Sequence, residues 1–286
     1  MRGFMDDPAG FEDGPGDRSA YRSDPASQLA VRMLRGAGRG ELHAYREPMC
    51  PCLDILALQQ LDDGRVLAVA QRPEAWESET DWESHLVPVR LHVEMMAALP
   101  AVAIHAADLH ALGWARMVRT DELAALIGRL SDEITLCMGH PDVLVLELTL
   151  DRTLVHSPAG VHRIDAHALP TGPVFPSGPD TLAAFDAVLG MGEEVLSDLV
   201  EAVTLGIVDG SLMATMGNGP ACRTLRGRTF PVDVASHGVT LLHLRETGAI
   251  TAHVRFACPA TSVDDVSRAL TDIVTRAVLP TVPPQA

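Results

Sequence analysis

Between residues 52 and 164 the chain is a series of short segments with the pattern of β-strands, and this feature limits the fold more than any other. In the clearest segment Val87, Val89, Leu91 and Val93 alternate with other side chains, which predicts a half-buried strand. Similar segments occupy residues 52–61, 65–70, 101–107, 112–118, 143–150 (with an extension at 153–156) and 161–164. Six or seven short strands that follow one another predict a small closed barrel.

Two helices accompany these strands. Residues 27–36 carry apolar side chains at helical spacing and end at a cluster of glycines. A second helix is predicted to begin at Thr120, which caps it, with Asp121 and Glu122 in its first turn. Its buried stripe is predicted to be Leu123, Leu126, Ile127 and Leu130. Asp62-Asp63-Gly64 predicts a tight hairpin between the first two strands.

A Pro- and Gly-rich stretch at residues 169–180 is the predicted domain boundary. It separates a barrel domain at residues 27–168 from an α+β domain at residues 181–278. The second domain is predicted to contain a helix over 181–205, interrupted around Gly190 and Gly192, then three antiparallel strands (230–235, 239–245, 250–257). A last helix begins at Thr261 or Ser262. Residues 1–26 are predicted to form a disordered acidic tail, and 279–286 a short second tail.

The charge of the chain excludes several classes of function. All 22 basic residues are Arg, against 38 acidic residues, so the formal net charge is −16. The absence of Lys excludes lysine chemistry such as a Schiff base, and the acidity argues against nucleic-acid and anionic-membrane binding. No segment has the pattern of a signal peptide or a membrane span, and the five cysteines are odd in number. We therefore expect a cytoplasmic protein.

Several strings resemble the haem-utilisation proteins of the HugZ type, in particular their actinobacterial members. These strings are residues 87–93, Leu112-Gly113-Trp114-Ala115, 143–168 and, above all, 231–274. The resemblance implies an α+β fold in which an N-terminal split β-barrel, related to the pyridoxamine-phosphate oxidase barrel, precedes a small α+β domain with an antiparallel meander. The chain departs from the family at Gly190–Val195. Relatives have a His-Met-Asn-x-Asp-His string there, of which this chain keeps only Met191.

The resemblance also implies a function. It implies a homodimer that binds haem or a related tetrapyrrole, and in some relatives this function extends to haem degradation. The expected axial ligands are His105 and His110 near the barrel groove, with Cys258 as the alternative. FMN is disfavoured, because acidic residues between Gln71 and Glu79 replace the basic set that holds its phosphate in relatives. The alternatives are a non-catalytic module whose acidic surface meets a basic protein partner, and a flavin-dependent oxidoreductase.

Three further patterns were candidates for a site. His243 and His253 are each followed two residues later by an arginine, Arg245 and Arg255, and adjacent strands would join them into one cationic patch for propionates. Cys50-Pro51 and Cys258-Pro259 are Cys-Pro pairs of the kind that bind regulatory haem. Ser236-His237-Gly238 is predicted to be a tight turn in which the Ser and His side chains point apart.

Overall fold

The computed structural model describes residues 24–46, 52–73, 82, 85–215, 223–246 and 248–278. The Cys50-Pro51 pair, most of the acidic stretch between Gln71 and Glu79, and nearly all of both predicted tails lie outside these residues. Helix α1 (Pro25–Leu34) begins just inside the predicted N-terminal tail. Its first turn is capped by Asp24, whose carboxylate accepts a hydrogen bond from the backbone N–H of Ser27 at 3.0 Å. None of the described helices is both long enough and apolar enough to cross a membrane.

Six antiparallel strands form a closed barrel, which confirms the predicted fold class. They are β1 (Arg39–His43), β2 (Leu53–Gln60), β3 (Val66–Gln71), β4 (Val87–Met96), β5 (His105–Met117) and β6 (Val143–Ser157). The order around the barrel is β3-β2-β1-β4-β5-β6, and pairing of β3 with β6 closes it. A seventh strand, β7 (Gly160–Ile164), forms a hairpin with the end of β6. The interior is filled by aliphatic side chains such as Leu91, Leu109 and Leu146, and one side of α1 packs into the same core.

The sequence prediction divided β5 into two strands and separated the end of β6 from its main part, and both divisions were wrong. In β5 the buried Leu109 and Ala111 alternate with the more exposed Asp108 and His110, so the strand continues through the predicted gap. In β6 the ladder shifts register opposite Leu112 and Gly113. A bulge there interrupts the alternation and makes one strand resemble two.

The helical part of the barrel domain also differs from the prediction. Helix α2 (Thr120–Leu126) starts with Thr120 as its first helical residue, and the cap position is Arg119, whose backbone N–H donates to the Glu122 carboxylate. Ile127 is exposed rather than buried, because the chain leaves the α-helix there for a short 3₁₀ turn (Ile127–Arg129). A further helix, α3 (Asp132–Met138), was not predicted.

The second domain is a four-stranded antiparallel sheet covered on one face by three helices. Its elements are α4 (Gly178–Leu189), α5 (Glu193–Thr204), β8 (Gly210–Thr215), β9 (Thr229–Ala235), β10 (Gly238–Arg245), β11 (Gly248–Arg255) and α6 (Val263–Val278). The strand order is β8-β11-β10-β9. The break between α4 and α5 confirms the predicted interruption, and Gly192 has a φ of 88°, which favours glycine. The edge strand β8 was not predicted, since its six residues show too little alternation.

The two domains are joined through α1 and β9. The side chain of Val232 in β9 belongs to the barrel core. Nη1 and Nη2 of Arg32 in α1 donate to Oδ1 and Oδ2 of Asp233 at 2.9 and 2.7 Å, and Nη1 also donates to the carbonyl of Val234. Because this arginine is only 5 % exposed, the ion pair lies inside the domain interface. A helix at the start of the chain therefore positions the sheet of the second domain against the barrel.

Candidate functional site

A cavity of about 410 Å³ lies where α1, one end of the barrel and the free face of the second sheet meet. This volume is within the range of roughly 300–1,000 Å³ that is usual for small-molecule sites. The apolar part of its lining includes Leu29, Met95, Ala106, Pro158 and Met213. Its polar part includes Arg32, Asp233, His162, His237, Thr240, His253 and Arg255.

The strand period explains why polar side chains face this cavity. In β10 and β11 the buried Leu241 and Val254 pack under the helices. The alternate residues Thr240, His253 and Arg255 line the cavity on the opposite face of the sheet. Gly238 lets the ring of His253 lie close to the backbone, because a Cβ at this position would be 2.7 Å from Nε2 of His253. Oγ1 of Thr240 lies 3.3 Å from Nδ1 of the same ring.

His237 occupies the two-residue turn between β9 and β10, and a chain of hydrogen bonds orients it. The Ser236 hydroxyl donates to Oε1 of Gln28 in α1 at 2.6 Å, and Nδ1 of His237 lies 3.1 Å from the same hydroxyl oxygen. Since the hydroxyl proton is used toward Gln28, Nδ1 carries the ring proton and donates it to Ser236. Nε2 of His237 is then an unprotonated nitrogen with an available lone pair.

The surroundings of His237 and His253 keep these two imidazoles neutral. Burial, followed by the neighbouring His253 and Arg32, lowers the pKa of His237 to about 4, although Asp233 and Asp24 oppose this. Burial is also the main cause that lowers the pKa of His253, with Arg255 contributing and Asp233 and Asp209 opposing. The two rings are 5.9 Å apart between centroids. At neutral pH the cavity therefore presents uncharged nitrogen donors.

The depressed pKa of His237 predicts acid sensitivity. The pKa of His237 is about 6.5 in the unfolded chain and about 4 in the folded protein. Between these two pH values the unfolded chain binds more protons, so the free energy of unfolding decreases as the pH falls. Thermal unfolding of the wild type and of His237→Gln at pH 7, 6, 5 and 4 measures the effect. The variant should lose less stability than the wild type across this range, and parallel losses in both proteins would contradict the assignment.

The cations at the cavity differ in their availability. Arg32 is neutralised by its bidentate contact with Asp233. Arg255, at the end of β11, is 56 % exposed and only loosely paired, with 3.6 Å between its Nη1 and Oδ2 of Asp209. A weak, solvated pair of this kind is worth little. Arg255 is therefore the cavity cation that can turn toward an anionic ligand at low cost.

The predicted ligands lie elsewhere in the structure. His105 and His110 are on the outer face of β5, where Nε2 of His105 is 2.9 Å from Oδ2 of Asp108, and the ring of His110 stacks on His92 at 4.6 Å. Cys258 is an exposed free thiol beyond β11 and does not line the cavity. The structure thus brings His105 and His110 together but not Cys258, and the role predicted for these three residues as haem ligands stays a prediction.

Two sequence interpretations of the second domain were wrong. His243 and His253 do not form one cationic patch, because His243 pairs with Ile250 and His253 pairs with Thr240. This register places the two histidines at opposite ends and on opposite faces of the sheet. The predicted tight turn at Ser236-His237-Gly238 is confirmed, but Ser236 and His237 do not point apart within it, since Oγ of Ser236 lies 3.1 Å from Nδ1 of His237. Gly238 directly after this pair was the only signal for such a turn.

Comparison with known proteins supports the fold. No family model matches the chain, and no curated protein matches it. A solved structure described as a heme binding protein from Mycobacterium smegmatis is similar over 89 % of this chain and 98 % of its own, with 16 % identity and a TM-score of 0.51. The two chains share a fold.

Two smaller structures match about half of the chain. One is described as a general stress protein 26 from Jannaschia, with 16 % identity and a TM-score of 0.32, covering 47 % of this chain and 79 % of its own. The other is a Clostridium acetobutylicum protein related to general stress protein 26, of the pyridoxinephosphate oxidase family. It has 11 % identity and a TM-score of 0.31, and covers 52 % of this chain and 96 % of its own.

Proposed function

We propose that the chain binds haem or a related tetrapyrrole in the cavity between its two domains, with His237 as the axial ligand of the iron. The observation that carries this proposal is the hydrogen-bond chain from Gln28 through Ser236 to His237, which leaves Nε2 as a lone-pair donor beside an apolar cavity. Haem proteins commonly hold the iron through a neutral imidazole, and a second hydrogen bond fixes the orientation of such a ring.

The rest of the cavity suits the remainder of the ligand. Leu29, Met95 and Met213 offer apolar and polarisable surface to a flat macrocycle. Arg255 at the rim supplies a cation for a propionate, and arginine can hold a carboxylate through two parallel hydrogen bonds. His253 is a second neutral donor within the same cavity. This division of apolar interior and cationic rim is what an amphipathic tetrapyrrole requires.

Two further observations support haem rather than another ligand of this size. The sequence resembles the haem-utilisation family, and the Mycobacterium smegmatis protein that shares the fold is described as heme binding. Haem degradation is the extended form of the proposal, in which His237 would hold the iron.

Titration of the full chain with ferric haem, followed by absorption, tests the proposal. We expect a sharpened Soret band at longer wavelength than that of free haem. His237→Ala should lower the affinity at least about tenfold, which corresponds to about 1.4 kcal/mol. His140→Ala, which changes an exposed histidine outside the cavity, is the matched control.

Two results would overturn the assignment of His237. One is a haem spectrum of His237→Ala that equals that of the wild type. The other is a changed haem spectrum in His105→Ala, His110→Ala or Cys258→Ala, which would identify a residue expected from the sequence as the ligand. Titration with FMN is the parallel arm. We expect weak binding or none, and a yellow complex that survives desalting would favour the flavin oxidoreductase.

We also propose that the protein is a cytoplasmic homodimer. Leu112, Trp114 and Leu154 are exposed side by side on β5 and β6 and offer an apolar surface to a second copy. Cys52, Cys137 and Cys258 are free thiols, as a reducing compartment favours. Sedimentation equilibrium gives the mass, and a monomer that pulls down a basic protein would favour the partner-binding alternative.

A further inference from the structure

Strands β4, β5 and β6 carry a group of metal-ligating side chains on the outer face of the barrel, none of which lines the cavity. His92 in β4 is directly opposite His110 in β5, and Asp108 in β5 is directly opposite His156 in β6. His105 lies at the start of β5. The ladder therefore holds four imidazoles around one carboxylate on a rigid scaffold.

The side chains of this cluster are in direct contact with one another. Nε2 of His92 lies 2.9 Å from Oδ1 of Asp108, and Nε2 of His105 lies 2.9 Å from Oδ2 of the same carboxylate. The rings of His92 and His110 are stacked, with 6° between their planes, and His156 meets His110 edge-on at 5.3 Å. One donor atom each from His92, Asp108 and His110 lies within 4.8 Å of the other two.

We propose that His92, Asp108 and His110 bind one divalent transition-metal ion of the zinc class, and that His105 orients Asp108 through its second oxygen. Two imidazoles and a carboxylate suit Zn²⁺ and Co²⁺ rather than Ca²⁺ or Mg²⁺, which take oxygen ligands. Bonds of about 2.0–2.1 Å in a tetrahedron place donor atoms about 3.3 Å apart. The pair His92–Asp108 is already near this spacing, and rotation of the His110 side chain brings in the third donor.

The charged side chains on this face, Glu41 and Glu94 among them, suit a bound cation. Partial burial raises the pKa of Asp108, but the hydrogen bonds from His92 and His105 outweigh it and lower the net pKa. Burial and the neighbouring His92 lower the pKa of His110. The cross-strand neighbours of His92 and Asp108 include Glu41 and Glu94, while Arg90 is the nearby opposing charge.

A second group on the same face, Glu41, His43 and Cys52, is the competing location. Nε2 of His43 lies 3.1 Å from Sγ of Cys52, but the carboxylate of Glu41 is 4.0 Å from both. This group also holds a single imidazole, whereas the group on β4 and β5 holds two. The histidine-rich group on β4 and β5 is therefore the better site.

Titration of the metal-free full chain with Co²⁺, in the absence of haem, tests this inference separately from the proposed function. We expect one equivalent to bind, with visible d–d bands and no sulfur-to-cobalt charge-transfer band. Zn²⁺ retained after desalting should also be one equivalent. His110→Ala and Asp108→Asn should each weaken Co²⁺ binding by at least about tenfold.

His140→Ala and Cys52→Ser are the controls and should leave Co²⁺ affinity unchanged. Circular dichroism checks that each variant is folded, and His110→Ala serves if Asp108→Asn is not, since His110 is partly exposed. Three results would overturn the inference: no retained metal, equal affinity in wild type and His110→Ala, or a sulfur charge-transfer band that disappears in Cys52→Ser. Loss of haem binding with intact Co²⁺ binding would affect only the proposed function.

Discussion

Replacing Arg32 by Met is expected to lower the free energy of unfolding by about 3 kcal/mol or more, because it leaves a largely buried carboxylate without its partner. Arg32 is 5 % exposed and Asp233 18 % exposed, and two hydrogen bonds join them across the domain interface. Urea unfolding at pH 7 measures the loss. The same variant should bind haem more weakly, since Arg32 and Asp233 both line the cavity.

The matched control is Arg39→Met. Arg39 and Asp54 form an ion pair of 3.3 Å whose side chains are 71 % and 58 % exposed, and pairs of this kind contribute at most about 1 kcal/mol. Arg32→Met combined with Asp233→Leu should recover much of the lost stability, because the unpaired charge is removed. If the free energies of unfolding of Arg32→Met and Arg39→Met differ by less than about 1 kcal/mol, the Arg32–Asp233 ion pair does not hold the domains together.

Gly113→Ala is expected to lower the free energy of unfolding about as much as Arg32→Met, for a steric reason. Gly113 lies at the register shift between β5 and β6, and a Cβ there would overlap the carbonyl oxygen of Thr149 and lie 2.9 Å from Cα of Leu150. The backbones must separate to admit a methyl group, which we expect to cost about 3 kcal/mol. Thermal unfolding followed by circular dichroism measures this loss.

Gly128→Ala is the control for that experiment. A Cβ at Gly128 meets no atom within 4 Å, and the residue lies in a short 3₁₀ turn at the surface. We expect its stability to change by less than about 1 kcal/mol. If Gly113→Ala melted at the temperature of Gly128→Ala, the close approach of β5 and β6 would not be a structural requirement of the barrel.

Local patterns in the sequence were sufficient for much of the fold. The alternation of Val87, Val89, Leu91 and Val93 identified β4, and Asp62-Asp63-Gly64 identified the turn between β2 and β3. Thr261 and Ser262 identified the start of α6 (Val263–Val278), whose buried side contains Val266, Leu270 and Ile273. These features depend on backbone periodicity and turn chemistry, which neighbouring residues determine. The bulge in β6 escaped prediction because it depends on the partner strand.

The candidate sites could be predicted only in part. His110 and His105 were selected for their position on one strand, and the structure shows that His105 contacts Asp108 while His110 stacks on His92. Neither His92 opposite His110 nor Asp108 was selected, because cross-strand neighbours depend on register. His237 was set aside as a turn residue, and nothing near it in the sequence indicates that Gln28 lies within hydrogen-bond distance of Ser236.

The sequence by itself therefore determined the α+β fold class, the net negative charge and the position of most strands and helices. Only the tertiary structure decided that α1 binds the second sheet through Arg32 and Asp233, and that a cavity forms between them. The physical reason is distance along the chain. Contacts between residues some two hundred positions apart arise from the packing of whole domains, and no local pattern records them.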